Sequence, residues 1–231
     1  MNELWLVAIA FLTATIGMGG GILLLAVMPG LLPPVAVLPL YALTQLTSNI
    51  SRVAFGWREM DARLLPPIVL GGIAGAWLGS TLYAVLNLDW LPLLIGVFIL
   101  LITWCPLSKP RGRGSLVLIL PGFYQTGIGM LAGATGPLGA AVLAQYSQQR
   151  DWLVVNTAAY MSINHILRAA AYGLLGFSLG PWWPLLLAMI AATVAGSWLG
   201  THLRKYLPQT DFSRCFRLLI TLLALRMIVM S

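Results

Sequence analysis

Two arginines, Arg52 and Arg168, sit inside apolar runs of this 231-residue chain, and no acid accompanies them. The six acids, Glu3, Glu59, Asp61, Asp89, Asp151 and Asp211, all fall between runs or at their ends. What surrounds the arginines is neutral: Thr44, Gln45, Thr47, Ser48 and Asn49 before Arg52, and Asn164 and His165 before Arg168. Cation carriers and proton pumps keep a carboxylate in the membrane, because its charge binds the ion. A cationic and neutral interior suits an anion instead. A planar guanidinium can give sulfite, sulfonate or carboxylate oxygens two parallel hydrogen bonds.

Each of these residues also has a plainer role open to it. Arg52 lies near the end of its run, where a long side chain can snorkel to the interface. Arg168 lies about two turns inside, so its charge needs an anionic substrate, backbone carbonyls or water. Asn49 and Asn164 suit hydrogen bonds between helices. His165 can make such a bond or couple a proton to transport.

Glycine supplies a second device for holding an anion. Leu4 to Thr15 is too short to cross a bilayer at about 1.5 Å per residue, and Gly17-Met-Gly-Gly-Gly21 follows it. A helix restarting at Ile22 would turn its free N–H groups and positive dipole end into the membrane. In the later run 116–145, Thr135 is placed to cap a restart with Pro137 at its first position. The candidate binding residues are therefore Gly19, Gly20, Gly21, Thr47, Ser48, Asn49, Arg52, Thr135, Gly136, Asn164, His165 and Arg168. They imply no cofactor and no metal.

The elements that must position these residues are membrane helices. Hydrophobic residues make up 59% of the chain and charged ones 8%, against about 45–50% and about 25% in soluble domains. That excludes a soluble globular enzyme. Eight apolar runs fit the length, near 4–28, 35–56, 64–86, 90–105, 116–145, 152–175, 182–203 and 212–230. The expected fold is an all-α polytopic membrane protein. The net charge of +7 belongs to cytoplasmic loops rather than to a nucleic-acid surface. Trp5, Trp57, Trp90, Trp104, Trp152, Trp182 and Trp183 lie near run ends, as an interfacial belt requires.

The runs form two homologous halves of four. Gly75-Ala-Trp-Leu-Gly79 returns as Gly196-Ser-Trp-Leu-Gly200, Asp89 before an aromatic returns as Asp211-Phe212, and Gly17–Gly21 meets Gly133–Gly139. The expected organisation is a first repeat over 1–105, a basic cytoplasmic loop over 106–115 and a second repeat over 116–231. Eight full crossings would divide the loop cations six to five between the two sides, against the positive-inside tendency. A re-entrant or broken first segment in each half changes the division to ten against one. Arg58, Arg63, Lys109, Arg111, Arg113, Arg150, Arg204, Lys205, Arg214 and Arg217 then face the cytoplasm, and Arg226 faces out. Three crossings per half make the repeats inverted, the usual plan of secondary transporters.

Several of these motifs together resemble the TauE/SafE family of sulfite and organosulfonate exporters. They are Gly17-Met-Gly-Gly-Gly21 followed by Pro29, Thr47-Ser48, Gly56 with Asp61, and Gly75 with Gly79. In the second half they are Gly133-Ala-Thr-Gly136, Thr157, Gly196 with Gly200, and Asp211-Phe-x-Arg-x-Phe216 with Leu225-Arg226. The resemblance implies a multi-pass carrier of small anions in a bacterial inner membrane, whose partners are that substrate and the bilayer. A homo-oligomer is left open. A non-transporting membrane scaffold and a membrane-embedded enzyme are the alternatives. The enzyme would need a nucleophile–base pair or a metal cluster that these residues do not suggest.

The charge division makes a topological prediction. With Cys105 and Cys215 replaced by serine, single cysteines in 109–113 and 204–209 should resist an impermeant thiol reagent in intact cells. Those in 30–33 and 177–180 should label. Labelling at 204–209 without labelling at 109–113 would restore eight full crossings.

Overall fold

The computed structural model describes residues 2–16, 20–105, 114–203 and 212–229. Among these residues there are ten α-helices and no strand. They are α1 (Asn2–Ile16), α2 (Gly20–Val27), α3 (Pro34–Phe55), α4 (Leu65–Val85), α5 (Leu91–Trp104), α6 (Ile119–Ala132), α7 (Gly136–Leu143), α8 (Arg150–Leu174), α9 (Trp183–Leu203) and α10 (Phe212–Val229). The cations of 109–113 and 204–205, and Gly17 and Gly19, lie outside the described residues.

Prolines set several of the helix starts. Pro34 opens α3 and prolines stand in the first turns of α4, α5 and α7, where the missing N–H costs nothing and φ is already helical. The first run of each half is divided into a longer and a shorter helix, α1 with α2 and α6 with α7. The restarts differ slightly from expectation. α2 begins at Gly20 rather than Ile22. α7 begins at Gly136, which makes Pro137 its second residue. Thr135 holds the cap position, yet its side chain makes no capping bond. Gln125 Nε2 donates to the Thr135 carbonyl instead, fixing the turn through its backbone.

Glycine at four-residue spacing decides how the long helices meet. A Cβ on Gly71 would strike the Ile119 carbonyl, one on Gly75 the Phe123 carbonyl, and one on Gly79 the side chain of Met130 at 2.7 Å. α4 and α6 thus touch backbone to backbone. α9 meets α1 in the same manner, with Gly196 on the Phe11 carbonyl and Gly200 on the Thr15 carbonyl. The two occurrences of the Gly-x-Trp-Leu-Gly motif therefore do the same work: one seats α4 on α6 and the other seats α9 on α1. α3 packs on α8, and α5 on α10. Without a hydrophobic drive between helices in lipid, close van der Waals approach of this kind is what holds them.

The bundle buries polar side chains among an apolar core and presents apolar ones outside. Gln45, Gln125, Asn156, Asn164, His165 and Arg168 are buried, while Leu70, Trp77, Val85, Leu120 and Leu222 are exposed. Two helical stretches among the described residues, Ala62–Val85 and Gly180–Leu203, are long and apolar enough to cross a bilayer by length and composition. α3 and α8 are as long, at 22 and 25 residues, but carry the polar interior and so are less apolar. At one end of α8, Asn156 Oδ1 accepts from the Asp61 N–H at 2.7 Å, and its Nδ2 donates to the Glu59 carbonyl at 2.8 Å. This ties the turn after α3 to the second half.

The glycine contacts predict a contrast between two helical positions. A Cβ at Gly173 would meet nothing within 4 Å, so Gly173→Ala should leave the melting temperature of purified protein unchanged or raised. Gly75→Ala forces two backbones apart, at the roughly 1–3 kcal/mol typical of overpacking, and should lower it.

Candidate functional site

The divided runs bring the first turns of α2 and α7 to one cavity of about 340 Å³. Gly21 and Ile22 line it from α2, and Gly136, Pro137 and Ala140 from α7. Both starts present positive dipole ends, although at α7 Pro137 has no N–H and the Leu138 N–H is bonded to the Thr135 carbonyl at 3.1 Å. The long helices supply the walls: Tyr41, Gln45, Asn49 and Arg52 from α3, and Thr157, Met161 and His165 from α8.

Arg52 is held rather than loose. Its Nη1 donates to Asn49 Oδ1 at 3.2 Å and its Nη2 to Ser48 Oγ at 3.0 Å. Ser48 Oγ also pairs with Ser197 Oγ at 3.3 Å, which connects the arginine to α9. Asn49 Nδ2 bonds the Gln45 carbonyl at 2.8 Å, and this fixes the amide that orients the guanidinium. Across the cavity, two buried groups lack any partner: Thr157 Oγ1 and His165 Nδ1. An unsatisfied buried polar atom costs about 1–3 kcal/mol. The His165 ring meets Tyr41 edge-on, with centroids 5.9 Å apart.

The predicted residues divide on this geometry. Gly21, which the restart brings to the cavity, lines it together with Asn49, Arg52, Gly136 and His165. Gly20 does not, because its Cα packs on the Thr13 backbone. Thr47 turns back to the Leu43 carbonyl at 3.2 Å. Ser48 lies one bond behind Arg52. Thr135 is buried with its hydroxyl unpartnered. Asn164 accepts from Thr126 Oγ1 and donates to the Tyr160 carbonyl at 3.0 Å, so it joins α8 to α6. Arg168 is wholly buried behind the cavity wall, its Nη1 on the Gly133 carbonyl at 2.7 Å.

Tyr41, Gln45, Thr157 and Met161 line the cavity without having been singled out as binding residues. Their spacing carries the signal that would have found them. Residues 41, 45, 49 and 52 on α3 recur 116 positions later as 157, 161, 165 and 168 on α8. At 3.6 residues per turn such a series falls on one helix face. The same offset takes Gly20-Gly21 to Gly136-Pro137 and Ser48 to Asn164.

A family model described as sulfite exporter TauE/SafE matches residues 4–227, nearly the whole chain. The chain belongs to the TauE/SafE family. No curated protein and no solved structure matches it. TauE/SafE proteins are membrane transporters of sulfite and related anions, and a membrane transporter accounts for an apolar exterior around a polar cavity. The match spans both divided runs, so the cavity they form lies wholly within the family's extent.

For this TauE/SafE chain, the two glycine restarts predict different outcomes. A Cβ on Gly136 would meet nothing within 4 Å, whereas one on Gly20 would strike the Thr13 carbonyl. Gly136→Ala should fold normally and weaken anion binding, because a methyl group narrows the approach to the α7 start. Gly20→Val should lower the yield of folded protein. Size-exclusion chromatography followed by a thermal-shift titration separates the two.

Proposed function

We propose that the cavity binds a small oxyanion, sulfite or a short organosulfonate, and that the chain carries it as a secondary transporter of the bacterial inner membrane. One observation carries this: two helix starts, Arg52, and the unpartnered Thr157 and His165 groups converge where no acid is among the buried residues described. Half-helix N-termini at a midplane site are a recognised means of holding an anionic group in a membrane. A carboxylate-free pocket with a guanidinium repels cations and favours negative oxygens.

Transport from such a site needs access from each side in turn, and two inverted halves would supply it. The exchange of partners supports that arrangement: α4 of the first half sits on α6, and α9 of the second sits on α1. So does the offset of 116 that carries the α3 stripe onto α8. The three crossings of each half would be its third, fourth and fifth helices. The interrupted first run would enter and leave on one side. Gradients then choose between import and export.

The test is flux of radiolabelled sulfite into proteoliposomes, with methanesulfonate as competitor and potassium as control. Sulfite should enter in a protein-dependent manner and methanesulfonate should slow it. Arg52→Gln should reduce sulfite flux by about tenfold, the loss expected of one charge-assisted contact. Potassium flux without sulfite flux would overturn the assignment.

A further inference from the structure

Arg168 is the symmetry counterpart of Arg52 by the offset of 116, yet the two stand differently. Arg52 lines the cavity and is half-buried. Arg168 has no exposure at all, and of its three guanidinium nitrogens only Nη1 is bonded. Nε and Nη2 have no partner. No Asp or Glu is among the described buried residues to neutralise it. Buried charge left this incomplete is costly, and it is retained where it marks an ion or substrate path.

One ring stands between Arg168 and the cavity. The Arg168 Cζ lies 5.9 Å from the centroid of Tyr41, whose other neighbours are the cavity residue His165 at 5.9 Å and the α2 start at Gly21. His165 lines the cavity and Arg168 follows it by three residues on the same face of α8. Displacing the Tyr41 ring would therefore extend the cavity directly to two free guanidinium nitrogens.

We propose that Arg168 is a second anion station, closed off from the cavity by Tyr41, which takes the anion over from Arg52 during transport. This rests on the anion-carrier function proposed above. Nη1 keeps the Gly133 carbonyl while Nε and Nη2, an adjacent pair on one edge of the guanidinium, receive two oxygens of the passing anion. The position of Arg168 beside the α6–α7 break means that the positive start of α7 serves both stations.

Two variants test it, each with sulfite binding to purified protein and sulfite flux in proteoliposomes. Arg168→Gln retains an amide N–H for the Gly133 carbonyl but loses the charged edge. It should bind sulfite within about threefold of wild type, since the Arg52 station is intact, and lose flux by about tenfold or more. Tyr41→Ala should tighten sulfite binding by about threefold, and that gain should vanish in Tyr41→Ala/Arg168→Gln. Arg168→Lys can hold the carbonyl but cannot form the paired contact, and its flux should remain low. Full flux in Arg168→Lys would make Arg168 a positioning residue for the break and overturn the station. A Tyr41→Ala gain that survives loss of Arg168 would overturn it as well. Absence of sulfite binding in wild type would overturn the anion carrier itself.

Discussion

The Arg168 guanidinium is wholly buried, and its Nη1 donates to the Gly133 carbonyl where α6 ends. A helix C-terminus exposes unpaired carbonyls and partial negative charge, so a cation placed there is favourable. Gly133 adopts a φ of 79°, in the region open to glycine, and this lets the chain leave the helix at once. Tyr172 secures the preceding turn, its hydroxyl donating to the Met130 carbonyl at 2.8 Å, and Asn164 receives the Thr126 hydroxyl one turn earlier still. Asn164, Arg168 and Tyr172 follow one another at four-residue spacing, so a single face of α8 fixes the end of α6 at three points. The start of α7, three residues on, is aimed by that clamp. In lipid each backbone group freed by a break must be satisfied internally, and α8 carries out that task while Thr157, Met161 and His165 line the cavity.

The same constraint explains why hydropathy and function conflict along this chain. α4 and α9 meet lipid on one side and glycine-contacted backbone on the other, so they can be apolar throughout. α3 and α8 meet each other and the cavity, so they hold the amides, hydroxyls and guanidinium groups. The helices that wall the cavity are thus the ones least marked as membrane spans by composition.

What was legible in the sequence follows the same division. The two runs interrupted at glycine, the packing role of Gly75, Gly79, Gly196 and Gly200, and the burial of polar side chains on α3 and α8 all rest on residue types whose physics is local. The Ile22 restart missed by two residues, because the Gly20 Cα is drawn into contact with the Thr13 backbone, a tertiary effect. Thr135 occupies its expected place without capping, because Gln125, distant in sequence, holds that turn by its carbonyl. Tyr41 and Met161 went unread as wall residues because aromatic and thioether side chains on a membrane helix look like ordinary packing. Only the recurrence of the whole 41, 45, 49, 52 series at one offset distinguishes them.

Residues matched by the offset of 116 differ in kind. Gly21 answers to Pro137, Asn49 to His165, Tyr41 to Thr157 and Ser48 to Asn164. At each pair the polarity or bulk differs, so the cavity is not symmetric about its axis. On the α2 side, Gly21 lies close beneath the Tyr41 hydroxyl and Gln45, with 3.0 Å to each from a hypothetical Cβ. On the α7 side, Gly136 has open space in front of it. The cavity therefore has a crowded helix start and an uncrowded one. The uncrowded start shares the cavity wall with Thr157 and His165, and the tight one lies against Tyr41. The two breaks therefore differ in the space before them, one packed against Tyr41 and Gln45 and the other open, so the two ends of the cavity are not interchangeable.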